Sequence, residues 1–113
     1  MKQVSTNTRK KRNDLNTSRA KIFKCLADPL RLNILYCLKD DEKCVTEMIP
    51  LLKTVQPLIS RHLRILRSCG LVSFRREKNR KPYRVADKRI FEIIDMVGID
   101  LINSLSKNAE EFS

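Results

Sequence analysis

The apolar residues of this chain change their period once, and Gly70 marks the change. Before Gly70 they recur at helical spacing: Ile22, Phe23 and Leu26, then Leu30, Ile34, Leu35 and Leu38, then Leu58, Ile59, Leu63 and Leu66. Residues three and four apart share one face of a helix, so each set forms an apolar stripe. After Gly70 two short strand-like runs, 71–76 and 82–85, flank the turn Glu77-Lys78-Asn79-Arg80-Lys81. That pattern is a hairpin with a basic tip. A chain so patterned is mainly α with a small β-hairpin.

Capping residues place the boundaries. Thr17 or Ser18 is positioned to cap a first helix running to residue 26, and Asp28-Pro29 restarts the chain as N-cap and first helical residue. Asp40-Asp41-Glu42 closes the second helix as a polar loop. A short third helix falls within 44–52, where Pro50 is tolerable if Thr46 is the cap, since only an early backbone bond is then lost. The fourth helix spans 55–68, with Thr54 as its cap and Gly70 at a left-handed C-terminal position. Asp87 caps a long last helix reaching residue 105. Its apolar positions Ile90, Ile93, Ile94, Val97, Leu101, Ile102 and Leu105 exceed the single stripe of a monomeric surface helix, which predicts a partner helix from a second copy.

Residues 1–16 hold only Met1, Val4 and Leu15 as apolar side chains beside Arg9, Lys10, Lys11 and Arg12. Burial cannot offset the entropy of ordering such a stretch, so a disordered basic arm is expected there. One domain is expected over 17–108, with 109–113 as a tail.

Several functions are excluded by what is missing. The 113 residues include two glycines, so no glycine-rich phosphate cradle can be written. His62 is the single histidine, and Cys25, Cys37, Cys44 and Cys69 form no CxxC pair. Free thiols, buried or half-buried, are expected for most of them in a reducing compartment. No apolar run approaches the ~18 residues of a membrane span, and the first residues lack the apolar core of a secretion signal. A soluble cytoplasmic chain without catalytic, membrane or cofactor function is therefore expected.

Charge is distributed unevenly. The net charge of +11 resolves into +7 over 1–24, −2 over 25–52, +10 over 53–89 and −4 over 90–113. A basic block between mildly acidic ones marks a face that meets a polyanion, and without a wide apolar face beside it nucleic acid fits better than lipid. The order of elements is that of a winged helix-turn-helix, whose second helix enters the major groove. In that arrangement Gln56 pairs with adenine, Arg61 or Arg64 with guanine, and Ser60 with base or phosphate. Arg80 and Lys81 reach a neighbouring groove or the backbone from the hairpin, Arg75, Arg76 and Arg84 mostly position the protein on phosphates, and Arg67 is a further DNA-binding candidate. His62 either touches phosphate or packs at the edge of the motif. A winged-helix module that binds RNA or protein is the alternative.

Three segments resemble the ArsR/SmtB family of repressors: Leu26-Ala27-Asp28-Pro29-Leu30-Arg31-Leu32-Asn33-Ile34-Leu35; Gln56 to Arg67, which looks like that family's recognition helix; and Gly70-Leu71-Val72 with Arg75-Arg76-Glu77, similar to its wing entry. The resemblance implies a homodimer on an inverted-repeat operator, repressing until an inducer alters the dimer. It also implies dimerisation through the first and last helices, here Ile22, Phe23, Ile90, Ile94, Val97, Leu101 and Leu105. Val55 stands where the family usually has a capping Ser, and Leu58 where it has Thr, so the base preference does not carry over. Metal sensors of the family hold a Cys-Val-Cys on the third helix; here Cys44-Val45-Thr46 leaves a weak candidate in Cys44, for a soft metal or metalloid effector or for redox sensing.

Overall fold

A computed structural model describes residues 6–112. Six helices and one hairpin follow in the order α1 (Thr6–Leu26), α2 (Pro29–Cys37), α3 (Val45–Leu52), α4 (Gln56–Ser68), β1 (Val72–Phe74), β2 (Tyr83–Val85), α5 (Ile90–Met96) and α6 (Ile99–Phe112). The strands are antiparallel, with Val72 opposite Val85, Ser73 opposite Arg84 and Phe74 opposite Tyr83. Mainly α with a winged hairpin is thus the architecture.

The capping logic is clearest at α2. The Asp28 carboxylate accepts from the N–H of Leu30 at 2.8 Å and of Arg31 at 3.2 Å, and Pro29 opens the helix without leaving an orphan donor. The α2 stripe then buries Ile34, Leu35 and Leu38. They meet Met48 of α3 and Ile59, Leu63 and Leu66 of α4, and the core continues through Leu71, Val72, Tyr83 and Val85 to Ile90 and Phe91 of α5. Each such aliphatic side chain contributes about 1.5–3 kcal/mol by leaving water. This core holds α4 by one side only.

At its far end α4 closes in a Schellman arrangement: the Leu71 N–H donates to the Leu66 carbonyl and the Gly70 N–H to that of Arg67, both at 3.0 Å. Gly70 takes φ +78, where a side chain would be strained. The chain therefore leaves the helix in one direction, straight into the wing.

Several expectations are corrected. The first helix starts at Thr6, not near Thr17, so residues 6–16 of the expected disordered arm continue α1, and residues 1–5 lie outside the described part. This stretch has no Gly or Pro, and elongating an anchored helix needs no new nucleus. Thr17, expected as a cap, donates its hydroxyl to the Asn13 carbonyl at 3.0 Å from within the helix. At α3 the N-cap is Cys44 rather than Thr46, and Pro50 sits inside the helix. The Glu47 carboxylate receives the Cys44 N–H at 2.9 Å, fixing the early start; Pro50 forgoes its bond to the carbonyl of Thr46, an exposed residue. Val55, not Thr54, is the N-cap of α4, without a side-chain bond. Leu58, expected inward, is exposed.

The long last helix is two helices. Val97 adopts ψ 70 and Gly98 follows, so α5 stops and α6 restarts with the Ile102 N–H on the Gly98 carbonyl. Gly is among the weakest helix formers, and the break lets α5 stay in the core while α6 leaves it. Tyr36 of α2 donates to Asp95 of α5, which pushes the phenol up to about 12, and its ring meets Phe91 edge-on at 4.9 Å. These contacts hold α5 down, whereas all side chains from 99 to 110 are exposed. Residues 109–112, expected as tail, continue α6. Of the cysteines, Cys25 and Cys69 form a disulfide and Cys37 and Cys44 are free. Their separation of 44 residues conceals a pairing that only packing of α1 on α4 creates.

Candidate nucleic-acid interface

The turn of the motif is three residues, Lys53-Thr54-Val55, with Lys53 left-handed at φ 53 and its N–H closing α3 on the Ile49 carbonyl at 2.9 Å. This turn sets α4 across α3, and the amphipathic pattern does the rest. Ile59, Leu63 and Leu66 face the core; Arg61 and Arg64 lie on the other side, and Gln56 and Arg67 are exposed beside them. Arg61 and Arg64 have no hydrogen-bonding or ion-pair partner among the described residues. They are uncompensated cations, one turn apart on the same helix.

The cations of the wing are engaged otherwise. Arg75 pairs with Glu42 at 2.5 Å and Glu77 at 3.0 Å, and Arg80 with Glu47 at 3.1 Å. The guanidinium of Arg75 holds the Glu42 carboxyl below the usual carboxylate range, while Glu47 is lowered first by the Cys44 N–H and then by the field of Arg80. Around Phe74 stand Lys81 at 4.1 Å, Arg67 at 4.8 Å and Arg76 at 5.6 Å from the ring centre. Cations over an aromatic face are oriented by its quadrupole. Arg84 donates to Ser73 at 3.2 Å. The tip is narrower than the five residues expected: Glu77 and Arg80 exchange backbone bonds around Lys78-Asn79.

Two concavities connect the reading helix to the wing. One, of about 390 Å³, is bordered by Cys44, Glu47, Gln56, Ser60, Arg80 and Lys81. The other, of about 150 Å³, lies between Ser60, Arg64, Arg67 and Lys81. The Gln56 amide donates to the Ser60 hydroxyl at 3.0 Å, so these two polar groups are already aligned. His62 is set apart: half-buried at the edge of the motif, its Nδ1 lies 3.1 Å from Arg31 Nη1. Arg31 is a residue that sequence reading missed. It also donates to the carbonyls of Cys25 at 2.6 Å and Lys24 at 3.3 Å, and so bonds the last turn of α1 to α4. Lys43 was missed too: its backbone pairs with Tyr83 in a one-residue bridge that docks the wing on the α2–α3 loop. A single bridge has no periodicity for sequence reading to find.

Cys44 is a half-buried free thiol, and among the described residues no three His, Cys, Asp or Glu side chains converge as metal ligands. Among the apolar residues assigned to a dimer, Ile90 is buried in the protomer's own core, because α5 turns inward before the break. Ile22 and Ile94 are half-buried against that core, and Phe23, Val97, Leu101 and Leu105 are exposed. Met96 and Ile99 are exposed as well, at 77% and 67%. No helix among the described residues is long and apolar enough to cross a membrane.

Comparison with known proteins agrees with this geometry. Residues 28–73 match the sequence model described as "bacterial regulatory protein, arsR family". Over 79 residues the chain is 44% identical to an uncharacterized HTH-type transcriptional regulator of Methanocaldococcus jannaschii, covering 69% of this chain and 89% of that protein. It is 36% identical over 73 residues to the HTH-type transcriptional repressor SmtB of Mycobacterium tuberculosis, covering 65% of this chain and 54%, about half, of that repressor. The solution structure of a homodimeric winged helix-turn-helix DNA-binding domain from Mycobacterium bovis superposes with a TM-score of 0.67 at 26% identity, covering 100% of this chain and 96% of that one. The transcriptional repressor BigR from Xylella fastidiosa superposes with a TM-score of 0.71 at 26% identity, covering 80% and 92%. The chain belongs to the arsR family of helix-turn-helix transcriptional regulators.

Proposed function

We propose that this chain is a cytoplasmic, homodimeric, sequence-specific DNA-binding regulator that represses transcription from an inverted-repeat operator, with no resident cofactor. The observation that carries the reading is α4: one side is locked in the core through Ile59, Leu63 and Leu66, and the other offers the guanidiniums of Arg61 and Arg64, which have no partner among the described residues. A helix anchored in this way enters the major groove as a rigid rod, with Gln56, Ser60 and Arg61 at base edges and the wing cations on phosphates. The exposed apolar side chains of α6, with Phe23 of α1, join two copies so that two reading helices face one side of a duplex. Half-sites are then about one helical turn apart, or a multiple of it.

The test is footprinting of the purified protein on DNA, followed by titration of the protected duplex with two variants. Arg61→Ala relaxes base preference, whereas Arg76→Ala weakens all duplexes alike. Wild-type affinity in both variants at every salt concentration contradicts the assignment. Preference for single-stranded RNA over the duplex favours the alternative module.

A further inference from the structure

The Cys25–Cys69 disulfide joins two elements that the proposed function gives different work. Cys25 lies in the last turn of α1, the helix assigned to the dimer, and Cys69 is the C-cap of α4, the helix assigned to DNA, one residue before the Gly70 turn into the wing. Their Cα atoms are 6.8 Å apart, within reach of a disulfide. Cys25 follows Phe23 by two positions, about 200° round the helix, so a partner seated on Phe23 leaves Cys25 facing its own protomer.

A cavity of about 420 Å³ opens beside the pair, lined by Ser18, Lys21, Ile22, Lys24, Cys25, Ser68 and Cys69. Cys69 is half-buried while Cys25 is 5% exposed. Lys21 and Lys24 line this cavity and are exposed, so their charge draws in anionic reagents. We infer that Cys25 and Cys69 are a reversible dithiol–disulfide site for anionic low-molecular-weight disulfides, and that closing it fastens the DNA-reading helix to the dimer helix and raises DNA affinity. The inference rests on the regulator reading above.

The exchange balances without any further reagent. The Cys69 thiolate attacks one sulfur of the small disulfide and breaks its S–S bond, releasing one small thiol and leaving a mixed disulfide on Cys69. The Cys25 thiolate then attacks the Cys69 sulfur, and the second small thiol leaves. Two protein thiols are oxidised, one small disulfide is reduced, and the two cysteine protons end on the two released thiols.

Once the bond is reduced, the polar ties between α1 and α4 among the described residues are Arg31, which grips α4 at His62, and the Cys25 thiol, 4.0 Å from the Ile65 carbonyl, and neither holds the Cys69 end of α4. The end of α4 and the wing entry then gain freedom that DNA binding must remove, and this costs affinity. Coupling between two such sites is worth about fivefold or more in affinity.

The experiment uses the full chain, either treated with oxidised glutathione and desalted or kept in dithiothreitol. Alkylation of Cys37 and Cys44 but not of Cys25 and Cys69 verifies the oxidised form. Both forms are titrated with a duplex that the oxidised protein enriches from a randomised library. At least fivefold tighter binding by the oxidised form is expected, abolished in Cys69→Ser and retained in the Cys37→Ser, Cys44→Ser double variant. Equal binding by the two forms, or tighter binding by the reduced one, overturns the inference while leaving the regulator reading intact. Enrichment of no duplex by either form overturns the regulator reading and the inference with it.

Discussion

Replacing both Arg61 and Arg64 by Gln tests the proposed interface where its electrostatics are simplest. Both side chains are exposed and neither has a partner among the described residues, so no internal contact there is lost. Stability is expected to stay within about 0.5 kcal/mol of wild type, as for surface positions generally. DNA binding responds differently. A cation drawn into the groove lies in the field of the flanking phosphates whether its fork reaches a base edge or a phosphate oxygen, so it displaces counterions, and log affinity falls with log salt by about 0.9 per phosphate neutralised. A dimer loses four such cations, so the slope becomes shallower by about 3.6. Between about 50 and 200 mM salt, a 0.6 change in log concentration, wild-type affinity should fall roughly 150-fold further than that of the variant. Fluorescence anisotropy of a labelled duplex over a salt series measures both slopes, and thermal melting checks the fold. A slope within about one unit of wild type, in a variant that melts normally, would refute the placement of α4 on DNA. Arg75 and Arg80 serve as a contrast. Each is already paired with Glu42, Glu47 or Glu77, so reaching a phosphate first means giving up a carboxylate, and their replacement shallows the slope less.

Three further outcomes are expected. Leu63→Ala, on the buried side of α4, loses about 2–5 kcal/mol of stability in urea unfolding; a loss below about 1 kcal/mol would mean that α4 is not seated as described. Acid weakens the fold through carboxylates that it holds charged: Glu42 lowered by Arg75, Glu47 by the Cys44 N–H, and Asp87 brought to about 2 by Arg89. Because these values lie below those of the unfolded chain, the stability they carry is whole above about pH 4.5 and is lost as pH falls through the folded-state values; a urea midpoint that stays level down to pH 2 would contradict this. Leu105→Asp, on the exposed face of α6, shifts sedimentation from dimer to monomer and leaves the helical content of each protomer in place; an unchanged dimer would move the interface off α6.

How much of this was legible in the sequence depends on the range of the interaction. Asp28 and Pro29 act on neighbouring N–H groups, and Gly70 acts through its own φ, so residue type alone located the start of α2 and the end of α4. The stripe Ile59, Leu63 and Leu66 and the opposite arginines follow from the helical period, and with them the candidate reading face. Leu58 escaped the same logic because it lies at the margin of that stripe, where neighbouring elements decide exposure. The extra helix before Thr17 was missed because the side chains from 7 to 16 bury nothing, and burial was the criterion applied.

The amino-acid order by itself determined the local grammar: where helices cap, which side of each is apolar, and that positive charge gathers on the helix and hairpin after residue 53. Those are properties of adjacent residues and of period, and they need no fold to exist. Tertiary structure alone decided which cations are neutralised, that α5 turns into the core while α6 stays outside, and that Cys25 meets Cys69 across 44 residues. Each of these depends on distance through space, and pairs far apart along the chain become neighbours only once the core has closed between them.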